Sequence, residues 1–96
     1  MTTDHREGAR ARIADLVALL QSANDSSVKP ILAECDALSR AVAAFHMEGI
    51  RFRIYNVDRL LRARSSSAPE QTALLEEIRH HLEAAGFHTR SHQSPT

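Results

Sequence analysis

The sequence is poor in cysteine, glycine, proline and aromatic residues: one cysteine, three glycines, three prolines, four aromatics and no tryptophan among 96 residues. A lone cysteine, Cys35, has no partner within the chain for a disulfide, and one thiol gives no zinc-finger spacing. Three glycines leave no Gly-rich loop to cradle a phosphate. The shortage of aromatic strand formers weighs against a sheet. Net charge is also missing, because twelve acidic side chains balance twelve basic ones. No global field therefore draws the chain to nucleic acid or to an anionic membrane. Charges interrupt every apolar stretch well before the roughly 20 residues that a membrane span needs. Asp4 and Glu7 stand where a signal peptide would carry an apolar run. The expectation is a cytoplasmic protein with no membrane contact and no cofactor.

What the chain does contain is Ala, Leu, Arg and Glu, which favour helix, so the expected class is all-α. Eleven of the twelve basic residues are arginine. Asp4 followed by Glu7 has the spacing of a capping box, and Ala9, Ile13, Leu16, Val17 and Leu20 then repeat at helical intervals. This first helix should end near Ala23, at the polar cluster Asn24, Asp25, Ser26 and Ser27. Pro30 fits only the opening turn of a second helix. A further start signal lies at Ser67, Ala68, Pro69 and Glu70, where Ser67 can cap, Glu70 can reach back and Pro69 misses no donor. Gln71, Leu74, Leu75, Ile78, Leu82 and Ala85 form the inward face of that last helix. Gly86 should close it in a left-handed conformation, with Phe87 folding back towards Leu82. The reading is three helices, at about 4–23, 28–64 and 68–85, in one domain spanning 1–87, with a disordered tail, 88–96, that carries His88 and His92.

The middle helix dominates this plan. At about 100° per residue, Ile31, Leu32, Cys35, Leu38, Val42, Phe45, Ile50, Ile54, Val57, Leu60 and Leu61 share an apolar arc of roughly 180°. The strict alternation Ile50-Arg51-Phe52-Arg53-Ile54 would suit a short strand, but the flanking residues keep helical phase. A helix from Pro30 to Arg64 would be about 50 Å long, more than a chain of this size needs. Either the rod bends near Gly49, or a second copy covers its surplus apolar surface. The expected arrangement is the latter: an antiparallel helical bundle completed by homodimerisation. Its interface would involve Phe45, His46, Gly49, Phe52, Arg53 and Val57.

Three polar groupings could carry chemistry. His46 and Arg53 project into the apolar arc, so Arg53 should meet a carboxylate from a neighbouring helix or subunit, while His46 is expected to be a satisfied core imidazole. Glu76, Glu77, His80 and His81 include a Glu-x-x-His spacing of the kind used in dimetal bundles, although Glu76 and His80 point away from the apolar face. Arg51, Arg53, Arg59, Arg62 and Arg64 face Asp58 alone. They could lie along a phosphate backbone, or pair with acidic residues of the last helix, Glu70, Glu76, Glu77 and Glu83. Cys35 lies in the apolar arc without an activating base, and no nucleophile stands beside His46. The function expected from the sequence is therefore non-catalytic: a small helical protein that self-associates and mediates protein–protein interaction in a scaffold or regulatory role. A metal-binding Glu/His bundle and nucleic-acid binding through residues 51–64 are the alternatives.

Overall fold

The computed structural model describes residues 4–23, 25–64 and 69–87. Among them there is no strand, and four α-helices succeed one another: α1 (His5–Ser22), α2 (Lys29–Ala43), α3 (Met47–Ala63) and α4 (Pro69–Ala84). The all-helical class is as expected; the division into three helices is not. The 50 Å rod is absent, since the molecule measures only 38 × 36 × 22 Å along its principal axes. A thickness of 22 Å is about two helix diameters, consistent with helices stacked in two layers.

Local chemistry explains where α1 and α2 begin. Asp4 caps α1 by accepting the Glu7 N–H at 3.2 Å, which satisfies one of the donors that a helix start leaves unpaired. The reciprocal half of a capping box is not made; the Glu7 carboxylate faces Arg10 at 3.8 Å instead. Asp25 accepts the Ser27 N–H at 2.9 Å and starts a single 3₁₀ turn, Ser26–Val28, that buries Val28 and leads into α2. Pro30 occupies the first turn of α2, where its missing N–H costs nothing. The expected cap at Ser67 falls outside the described residues, as does the tail beyond Phe87.

The expected rod ends at Ala44, Phe45 and His46. Phe45 adopts φ +56°, the left-handed conformation. The His46 N–H donates to the Ala41 carbonyl at 2.9 Å and the Phe45 N–H to Val42 at 3.2 Å, the two bonds of a Schellman closure. His46 then caps α3, its Nδ1 accepting the Gly49 N–H at 2.8 Å. The chain thus breaks just before Gly49, which is the alternative of a bend near Gly49 and not the unbroken rod. Gly49 matters through its small size: a Cβ there would stand 2.6 Å from His46 Nδ1 and displace the capping ring.

Folding back serves the apolar arc. Ile31, Cys35, Leu38 and Val42 of α2 and Ile50, Ile54, Val57 and Leu61 of α3 all lie in one core cluster. Each large apolar side chain gains roughly 1.5–3 kcal/mol on burial, against about 1–2 kcal/mol for one left-handed residue. Reversal therefore wins by a wide margin. The most extensive helix contacts are α2 with α3 and α1 with α4, with α1 also meeting α2. From α1 come Ala9, Ile13, Leu16 and Leu20, and from α4 Leu75, Ile78 and Leu82. The last helix closes as the sequence indicated: Gly86 has φ +101°, and the Phe87 N–H reaches the Leu82 carbonyl at 2.9 Å. Phe87 joins the same core.

Candidate functional site

The helix that buries Ile50, Ile54, Val57 and Leu61 turns an opposite face to solvent. At about 100° per residue, Glu48, Phe52, Tyr55 and Arg59 fall within roughly 60° of one another on that outer face of α3. Phe52 is 56% exposed and Tyr55 44%, and with Phe45 at 63% they make three of the four aromatic residues surface groups. A chain with so few aromatic side chains has kept most of them out of its core, a distribution that packing alone does not explain. Arg59 is exposed and makes no ion pair among the described residues. Glu48 is largely exposed and touches Arg51 at 3.3 Å on its own helix, a contact of little energetic weight.

The other residues expected at an interface have separate positions. Phe45 lies at the α2–α3 turn, with the Arg6 guanidinium 4.2 Å from its ring centroid and the Phe87 ring 6.2 Å away. His46 is exposed and caps α3, so it is not a core imidazole as expected from the sequence. Val57 is fully buried in the chain's own core. Arg53 does find a carboxylate on a neighbouring helix: its Nη1 donates to both oxygens of Glu34 on α2, at 3.1 and 3.3 Å. Asn56 donates to the same carboxylate at 3.2 Å, and the Phe52 ring lies 5.0 Å from the Arg53 guanidinium carbon. His46, Gly49 and Arg53 line an open groove of about 370 Å³ together with Arg40 and Ala41. Its two guanidinium groups already pair with Asp36 and Glu34, so no free anion cradle is formed there.

The arginine-rich segment is dispersed in the same way. Arg51 pairs with Glu48, Arg53 with Glu34, Arg62 with Asp58 and Arg64 with Asp25, which leaves Arg59 of this segment without an ion pair among the described residues. The acidic partner expected from α4 is inverted: Asp58 of α3 receives Arg79 of α4 at 3.0 Å. Arg79 is 3% exposed, and its Nε lacks a hydrogen-bond partner. Sequence reasoning passed over Arg79 because it borders the apolar stripe of α4; the signal available was a cation adjacent to Ile78 opposite an otherwise basic segment.

At the paired ends of α1 and α4 the structure assembles three histidines. His5 and His81 place their Nδ1 atoms 3.1 Å apart, and the His80 ring centroid lies 6.0 Å from that of His81 and 6.5 Å from that of His5. Burial lowers the His81 pKa from the ordinary histidine value, and the positive charges of His5, His80 and Arg12 act in the same direction against Glu77. Glu77 itself faces Arg12 at 3.7 Å, and Glu76 faces Arg79 at 3.9 Å. No three His, Cys, Asp or Glu side chains among the described residues converge as a metal-binding group, so the dimetal arrangement is not assembled there. Cys35 is fully buried, and burial, with the Glu34 charge adding to it, pushes its thiol up to about 12. No helix among the described residues is long and apolar enough to cross a membrane.

No protein-family model, curated protein or solved structure matches the chain. A functional reading therefore rests on the geometry of these surfaces.

Proposed function

We propose that the protein is a small self-associating helical module whose contact surface is the outer face of α3. The reading is supported above all by the order of four residues on that face. Glu48 and Arg59, and likewise Phe52 and Tyr55, share one midpoint, between Arg53 and Ile54. An antiparallel copy placed on a twofold axis through that midpoint sets each Phe52 against the partner's Tyr55 and each Glu48 against the partner's Arg59. Such a face is its own complement, as an isologous interface requires. Aromatic pairs contribute about 0.5–1.5 kcal/mol each beyond area burial, and exposed ion pairs less than about 1 kcal/mol. A single helix pair is small as interfaces go, so association should be weak and suited to a regulated contact.

This surface differs from the one expected of an unbroken rod, whose apolar arc is consumed inside the protomer. A binding role is preferred to a catalytic one because the chain's one thiol is sealed in the core and the exposed His46 is engaged as a cap.

Sedimentation equilibrium over a concentration series reaching about 1 mM provides the test. The wild type should show concentration-dependent dimer. Arg59→Glu should be monomeric, since it opposes two carboxylates at each end of the pair, and Glu48→Arg combined with Arg59→Glu should dimerise again. A wild-type protein that stays monomeric throughout, or a double variant no better than the single one, overturns the reading.

A further inference from the structure

The two ends of the described chain are joined by a pair of imidazoles that the apolar packing does not require. His5 occupies the first position of α1, and His81 the last turn of α4. They lie 76 positions apart in sequence, yet their Nδ1 atoms stand 3.1 Å apart. Without a metal, one Nδ1–H donates to the other. The same spacing suits a different occupant. Two metal–nitrogen bonds of about 2.0–2.1 Å meeting at an angle between 90° and tetrahedral hold their nitrogens about 2.9–3.4 Å apart. The ring centroids, 5.3 Å apart with planes tilted by 41°, set the two Nδ1 atoms end to end instead of stacking the faces, so each ring must turn for both lone pairs to meet one ion.

Gly8 is a second, independent feature of this place. A Cβ on Gly8 would come within 2.8 Å of His81 Nδ1 and Cε1. Glycine in a helix costs about 1 kcal/mol relative to alanine, and here the missing methyl group is what admits the ring. The nearby Glu77 carboxylate is turned to Arg12, so it is not assigned to the site.

We propose that His5 and His81 form a two-imidazole site for one late first-row divalent ion of the zinc(II) type, with solvent in the remaining coordination positions. Neutral imidazole is a favoured ligand for such ions. When the ion enters, the proton on the bridging Nδ1 leaves it and the same ring carries its proton on Nε2, so both Nδ1 lone pairs face the metal. The ion would clasp the start of α1 to the end of α4 and close a loop of nearly the whole chain, where a cross-link restricts the unfolded state most.

The test is calorimetric titration of full-length, tag-free protein with zinc(II) chloride, together with thermal unfolding. The expected result is one equivalent bound per chain. At a hundredfold excess of zinc over its Kd, the melting temperature should rise by on the order of 10 °C. His5→Ala should weaken binding by roughly tenfold or more, as loss of a direct ligand exceeds the usual effect of losing an outer partner. Gly8→Ala keeps both imidazoles and improves helix propensity, so it should remain folded while weakening zinc through displacement of the His81 ring. His88→Ala combined with His92→Ala should bind as the wild type does. No binding at all, undiminished binding by His5→Ala, or loss of binding in the His88/His92 variant would each overturn the proposal, the last two marking an adventitious ion only.

Discussion

Phe45 combines two costs in one residue: a large apolar side chain left in water and a backbone conformation that L-residues avoid. Its compensation is local, through Arg6 over the ring and Phe87 alongside it. The two contributions can be separated by substitution. Phe45→Ala loses the ring contacts and keeps the strained φ, so it should destabilise by about 1–2 kcal/mol. Phe45→Gly loses the same contacts but relieves the backbone, and should be about 1 kcal/mol more stable than the alanine variant in urea titration. Equal stability of the two would show that the left-handed turn carries no strain. Residues such as Asp4, Pro30 and Gly86 could be assigned from sequence because their roles derive from their own chemistry: an acceptor oxygen, a missing N–H, a missing Cβ. Phe45 and His46 could not, since neither is a usual residue for the position it takes. Phe at a left-handed closure and His at an N-cap are tolerated because the surrounding packing determines where the chain turns.

Between elements, the contact of α3 with α4 depends on a charge pair that sequence reading assigned in reverse. Asp58 accepts from buried Arg79 at 3.0 Å and from exposed Arg62 at 2.8 Å. Removing the carboxylate leaves a guanidinium with almost no access to water and only the distant Glu76 carboxylate, 3.9 Å away, to face. Asp58→Ala should therefore cost about 3 kcal/mol in chemical denaturation, whereas Asp58→Leu combined with Arg79→Met should recover most of that loss. An Asp58→Ala protein as stable as the wild type would mean that Arg79 finds water or another acceptor. Most positions of the apolar stripes were legible from their spacing, as was the requirement that Arg53 meet a carboxylate, though the spacing reads two helices as one. Which carboxylate it meets was not. Glu34 and Arg53 are joined by the reversal at Phe45, and Asp58 and Arg79 by the approach of two helices whose faces a helical wheel fixes only to within a residue.

For the whole molecule, the decisive event is the closure of the core within one chain. Were the bundle completed by exchange of rods between two copies, unfolding and dissociation would be one process and the melting temperature would rise with concentration. Here α2 and α3 cover each other, and α1 and α4 close the remainder. Thermal unfolding in the low micromolar range, below the weak association proposed for α3, should therefore have a midpoint independent of protein concentration. A midpoint that falls over a tenfold dilution series would restore an obligate dimer. The sequence by itself determined the class, the start of α1, the closure of α4 and most of the apolar positions, Phe45 and Ala85 excepted, because these depend on interactions spanning one or two helical turns. Only the tertiary structure decided that the longest apolar stretch is two helices, that His5 meets His81, and that three aromatics remain outside. Each of these depends on which surfaces meet across long separations in the chain, where the gain from burying whole faces outweighs the local preference of any single residue.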